Sequence, residues 1–190
     1  MLRKKSIALI TALFITACMV VSCSDDDDDD NSGVGVGDGP TLAQVISDEG
    51  DLSTFEEALE IAGLTDMLQN QGLFTVFAPT NAAFDLMSED AREELFGDSA
   101  RLREVLLYHM ASGRLNLENL ENRTNVTSRF DNRIINVRTI DGGEESAEIV
   151  QLNYVANIVE PDIEAKNGIV HKISRVLTPP EGAPDTEEDE

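Results

Sequence analysis

An α+β domain is what this sequence predicts, with helices in its first half and a sheet drawn mainly from its second. Three observations carry that expectation. Apolar residues recur at helical spacing before Gly113, short runs of β-branched residues follow it, and strands do not alternate with helices in the manner of a doubly wound parallel sheet. Both ends of the 190-residue chain are too biased in composition to join a core, so one folded unit is expected.

The elements follow in order. Thr41 can cap a first helix through Leu42, Val45 and Ile46. Ser53, with Glu56 three residues on, forms a capping box that opens a helix over 55–61, and Gly63 is placed to end it. After residues 64–69 the run Leu73-Phe74-Thr75-Val76-Phe77-Ala78 reads as a strand that Pro79 terminates. Thr80 then caps a helix with Ala83, Phe84 and Met87 on one side. A helix over about 98–110 places Leu102, Val105, Leu106, His109 and Met110 on one face and turns Arg101, Arg103 and Glu104 to water. Strand-forming runs follow at 125–127, 134–140, 149–154, 158–159 and 169–177, with Asp141-Gly142-Gly143 as a turn between two of them.

The formal net charge is −23, and residues 39–180 alone hold 24 acidic and 11 basic side chains. Nucleic acid is thereby excluded as a partner, since phosphate binding needs a clustered stripe of lysine and arginine. Anionic lipid headgroups are repelled for the same reason, so membrane attachment has to come from something other than charge.

Such an attachment is written at the start. Arg3, Lys4 and Lys5 precede an apolar run from Ile7, and small residues beside two cysteines follow, which is the pattern of a secretory signal peptide over 1–22. The apolar stretch is short of the ~20 residues that span a bilayer. Cys18 and Cys23 both resemble the lipidated cysteine of bacterial lipoproteins. Cys23 is preferred because Ser24 and six aspartates come directly after it, a start that resembles the signal sending lipoproteins of some Gram-negative bacteria to the outer face of the outer membrane. Acyl chains on Cys23 would anchor through ~0.8 kcal/mol per buried methylene, enough to overcome the charge repulsion. Residues 23–39, acidic and then glycine-rich, are expected to be a flexible tether, and 181–190 an acidic disordered tail. Consecutive aspartates lack the spacing and turn glycine of a calcium loop, and no metal or other cofactor is expected.

Three stretches of the 40–180 region resemble the fasciclin family at the expected order and separation. The first, Phe74-Thr75-Val76-Phe77-Ala78-Pro79-Thr80-Asn81-Ala82-Ala83-Phe84, is close to the family's first signature box. The second is Leu106-Leu107-Tyr108-His109, similar to its tyrosine-histidine motif. The third, Asn167-Gly168-Ile169-Val170-His171-Lys172-Ile173-Ser174-Arg175-Val176-Leu177, resembles the second box. The resemblance implies a fasciclin domain over 40–180, folded as a seven-stranded β wedge flanked by helices. It also implies partner contact by the stretch Glu160, Pro161, Asp162 and Ile163, because some animal matrix members carry an adhesive Asp-Ile sequence there; Glu164 stands where those members have methionine, and Tyr108 and His109 are further candidates for partner contact.

Signs of catalysis are few. His109 and His171 are the only histidines, each on an apolar face that suits a core residue with satisfied hydrogen bonds. Tyr108 reads as an amphipathic core residue. No Gly-x-Ser-x-Gly elbow, phosphate loop or zinc signature occurs. A carboxylate pair of the glycosidase kind would sit poorly with a chain that has no Trp and two Tyr, because sugar sites usually need aromatic platforms. Asp98-Ser99-Ala100 resembles a bacterial O-glycosylation triplet and equally a helix N-cap. The expectation is a non-enzymatic, lipid-anchored adhesion or binding module, exposed at the cell surface and meeting a protein or extracellular glycan. Its competitors are a periplasm-facing binding lipoprotein serving a polysaccharide-handling system and a carboxylate-dependent glycoside hydrolase.

Overall fold

The computed structural model describes residues 39–140 and 148–180. Four short helices, α1 (Leu42–Asp48), α2 (Ser53–Ile61), α3 (Thr65–Asn70) and α4 (Asn81–Asp85), surround the first strand, β1 (Phe74–Pro79). Two more, α5 (Glu89–Gly97) and α6 (Ser99–Tyr108), lead into β2 (Met110–Ser112), and α7 (Leu117–Glu121) precedes β3 (Asn125–Thr127). The remaining strands are β4 (Ile134–Ile140), β5 (Ile149–Leu152), β6 (Ala156–Ala165) and β7 (Gly168–Ile173).

The seven strands make one sheet in the order β2-β1-β7-β6-β5-β4-β3, in which only β1 and β7 run parallel. Its two edges meet again, at the bridge between Ala111 and Ser128 and at the Arg129 N–H donated to the Met110 carbonyl at 2.7 Å, so the sheet is rolled nearly shut. Every residue of β1 and β7 is buried, because helices cover one face and the rolled strands the other. Phe74, Val76 and Ala78 of β1 face the helical core with Leu42, Phe55 and Leu106. Phe77 faces the opposite core, with Tyr108, Val126, Ile135, Val137, Leu152 and Leu177. In β4 and β5 the alternation of buried and exposed residues marks one face on this second core and one in water.

Local sequence accounts for most of the starts. Thr41 caps α1 and exchanges hydrogen bonds with Gln44 as a capping box, Thr80 caps α4, and Asp98 caps α6 through the Ala100 and Arg101 N–H groups. The expected box at Ser53 does not form. A single 3-10 turn (Gly50–Leu52) runs straight into α2, and the cap comes from far away: the Asn81 Oδ1 accepts from Thr54 N at 3.0 Å while its Nδ2 donates to the Gly50 carbonyl and Ser53 Oγ. Other differences are of length. The 98–110 helix stops at Tyr108 because Met110 joins β2, Pro79 is the last residue of β1, and β6 runs the ten residues from Ala156 rather than two. The expected 141–143 turn, Cys18, Cys23, the tether and the tail lie outside the described residues.

The second box opens on Asn167-Gly168 for a steric reason. Buried Asn167 accepts from Leu42 N at 2.8 Å and donates to the Leu68 carbonyl at 2.7 Å, which ties α1 and α3 to the start of β7. A Cβ on Gly168 would lie 2.1 Å from the Phe74 carbonyl oxygen and 2.8 Å from Leu42 Cδ1, so only glycine lets the parallel strands pair beneath the helix.

Candidate functional site

The 160–163 stretch forms an outward bulge in β6. Between the pairs Glu160–Lys172 and Ile163–Val170, β6 advances three residues while β7 advances two, and the extra residue is thrown out of register. Pro161 suits that place because it has no ladder N–H to lose. Asp162 takes up the turn at a φ of 60°, a conformation that aspartate tolerates better than most side chains. Two bonds hold it there: its N–H donates to His171 Nδ1 at 3.2 Å, and its Oδ1 accepts from Leu117 N, in the first turn of α7, at 2.8 Å. Glu160, Pro161 and Asp162 are exposed, whereas Ile163 packs inward against the helical core.

His171 lies directly beneath, fully buried and stacked on Phe77 with ring centroids 5.8 Å apart. Since Nδ1 accepts from Asp162, the proton sits on Nε2, which donates to the Leu115 carbonyl at 2.7 Å. Burial pushes its pKa down, against the opposing pull of the Leu115 carbonyl and the Asp162 carboxylate 3.9 Å away. A neutral imidazole thus braces the bulge from inside.

Beside the bulge, Lys172 is 4% exposed. Its Nζ lies 2.7 Å from Glu49 Oε2, 2.9 Å from Glu160 Oε2 and 3.0 Å from Asp51 Oδ1. Burial alone would lower the pKa of this ammonium, but the three carboxylates outweigh it and raise the value. Glu160 is therefore committed to a structural cation that joins the α1–α2 connection to β6 and β7.

Tyr108 and His109 sit elsewhere and face inward, 1% and 0% exposed. Tyr108 ends α6 and His109 is its C-cap, both on the core-facing stripe. His109 Nε2 accepts from Leu177 N at 2.9 Å, so Nδ1 carries the proton and donates to the Val105 carbonyl at 2.7 Å. Burial lowers its pKa to about 4, despite that carbonyl. The Tyr108 hydroxyl donates to the Ile134 carbonyl at 2.9 Å and accepts from Asn153 Nδ2 at 2.8 Å, and burial raises its pKa against the influence of Asn153 and Arg133. Through Asn153 it supports the β5–β6 turn, where Asn153 and Tyr154 both have positive φ and Tyr154 is 63% exposed.

Lys172 is open to suspicion from sequence, since a lysine between Val170 and Ile173 in a strand-forming run must be paired if it is buried. Among the described residues no group of three or more His, Cys, Asp or Glu side chains could hold a metal, and no helix is long and apolar enough to cross a membrane.

A nearly closed mixed sheet, covered by helices on one side and fastened by two neutral histidines and one caged lysine, defines an α+β domain whose polar interior holds the scaffold together. The chain belongs to the fasciclin family: the family described as Fasciclin domain matches residues 50–179. It is 30% identical over 155 residues to the transforming growth factor-beta-induced protein ig-h3 of Sus scrofa, covering 79% of this chain and 21% of that one. An uncharacterized protein of Synechocystis, sll1735, is 30% identical over 140 residues, which is 73% of this chain and 97% of its own length. The fold matches the FAS1 domain pair of the insect cell adhesion molecule fasciclin I with a TM-score of 0.63 at 21% identity, over 73% of this chain and 50% of that one. This chain thus spans about a fifth of the animal matrix relative and nearly all of the cyanobacterial one.

Proposed function

We propose that this protein is a non-enzymatic adhesion or binding module, anchored to the outer membrane through lipid on Cys23, which meets a protein or extracellular glycan at the cell surface through the 160–163 bulge. The observation that carries the reading is the bulge itself: three exposed residues held on a rigid strand by His171 and the start of α7. Preorganised geometry favours recognition because little conformational entropy is lost on binding. Family membership and the adhesion molecule among the fold's neighbours support the same reading. Both histidines are spent on internal hydrogen bonds, which leaves neither for acid-base work.

The test has two parts. Metabolic labelling with a palmitate analogue should mark the wild type and the Cys18→Ala variant but not Cys23→Ala, and protease added to intact cells should remove the domain without lysis. Full-length protein in detergent should then capture a surface partner that a Glu160→Ala/Asp162→Ala variant loses. Protection from protease, or capture indifferent to the variant, removes the surface role or the bulge respectively.

A further inference from the structure

The two edge strands of the rolled sheet, β2 and β3, touch at Ala111 and Ser128 and then part. Where they part, a cleft of about 550 Å3 opens, walled by Ser112, Gly113 and Arg114 on one side and by Arg123, Thr127 and Arg129 on the other. Its charge is opposite to that of the domain. Three of the 11 basic residues between 39 and 180 line it, and none of the 24 acidic ones does.

The walls are rigid. Gly113, at a φ of 91°, donates its N–H to the Leu73 carbonyl, and its own carbonyl accepts from the hydroxyl of buried Thr75, which in turn accepts from Leu115 N at 2.9 Å. The Arg129 guanidinium lies 5.2 Å over the Phe74 ring and 3.5 Å from Ser112 Oγ. Arg114 reaches one carboxylate, Glu164, loosely at 3.8 Å with that carboxylate 79% exposed, and Arg123 makes no ion pair among the described residues. Of three guanidinium forks beside serine and threonine hydroxyls, only Arg114 therefore meets a counter-charge among the described residues, and that one is solvated.

We infer that this seam is a binding site for an acidic sugar, a saccharide bearing one carboxylate or sulfate among its hydroxyls. Guanidinium forks bind carboxylate and sulfate oxygens in bidentate fashion, the hydroxyls and open strand edges suit sugar hydroxyls, and the charged substituent takes the place of the aromatic platform that other sugar sites use. The rest of the domain limits the charge of the ligand. Screening at physiological salt acts over about 8 Å, so the cleft governs its own occupant, whereas a polymer charged at every unit meets the surrounding acidic surface. The inference deepens the surface-module reading by naming a ligand class for a cleft that adjoins the bulge, its wall at Arg114 and Leu115 meeting Glu164 and His171.

Titration calorimetry of the full-length protein in non-ionic detergent tests it, with glucuronosyl-xylotriose and singly sulfated lactose as probes and neutral xylotriose and lactose as references. At least one acidic probe should bind, with its neutral counterpart at least about ten-fold weaker, and the tighter acid names the substituent. Arg114→Gln/Arg123→Gln should lose at least about ten-fold while its melting curve stays unchanged, and Arg138→Gln on the outer face of β4 should bind as wild type. Failure of both acids to bind, equal binding of neutral sugars, or equal loss in Arg138→Gln overturns the site. The bulge variant Glu160→Ala/Asp162→Ala should keep the sugar affinity, so this proposal and the capture experiment fail separately.

Discussion

Cations occupy two unlike places in this acidic domain. Lys172 is enclosed with three carboxylates within 3.0 Å, while of Arg114, Arg123 and Arg129 around an open cleft only Arg114 meets a carboxylate among the described residues, at 3.8 Å. In the first arrangement the ammonium is satisfied and has no donor left to offer a ligand. The second leaves charge and hydrogen-bond donors facing solvent. The contrast shows that satisfaction of a charge, rather than its presence, separates scaffold from binding site.

The sharpest way to break that contrast is Lys172→Met. Removing the ammonium leaves three carboxylates facing one another, and the loss is expected at about 3 kcal/mol in urea unfolding, the lower end for a broken buried pair because their side chains are 35–55% exposed. A loss under about 1 kcal/mol would make the cage an ordinary surface pair. The wild type should also carry a base-side signature. Because the folded pKa of Lys172 is raised, its contribution is complete below the unfolded value of 10.5 and declines as pH climbs through the higher folded value.

Acid reports on the histidines instead. The folded pKa of His109 is lowered from 6.5 to about 4, so the unfolded chain binds more protons in that interval and stability falls as pH drops from 6.5. At ~1.4 kcal/mol per unit, about 3 kcal/mol is lost by pH 4. His109→Gln should flatten the stability profile over that window, and an unflattened profile would relocate the acid sensitivity.

Asp162→Ala should cost about 1–2 kcal/mol, from the lost bond to Leu117 N and the strain of a positive φ without a compensating side chain. Asp162→Asn, which keeps both features, should stay within about 0.5 kcal/mol. Smallest of all, Arg114→Gln/Arg123→Gln should change stability by no more than about 0.5 kcal/mol in urea unfolding, since these side chains support little of the fold. A large loss there would return the seam to the scaffold.

Much of the fold was legible before any coordinates. The caps at Thr41, Thr80 and Asp98, the buried stripe from Leu102 to Met110, and the runs that became β1, β3, β4, β5 and β7 all follow from local pattern. The helices α5 and α7 escape local pattern, because Glu-rich and Asn-rich segments with a single buried leucine each have almost no apolar period. Most of β6 was hidden behind Glu160-Pro161-Asp162, residues that discourage a regular strand and are accommodated here by bulges. The tyrosine-histidine pair reads from sequence as core-facing, and both side chains are buried.

By itself the sequence determined the class of fold, the family, the acidity of the domain, and the two histidines as core residues. Those properties are local or compositional: caps, periods and charge sums act over a few residues or over the whole chain at once. Tertiary structure decided which charges are spent and which remain available. Glu49, Asp51 and Glu160 meet Lys172, and Arg114 faces Arg123 and Arg129, only because rolling the sheet brings its two edges together and lays the α1–α2 connection against β7. Electrostatic energy depends on distance and burial, and neither is written in the order of residues.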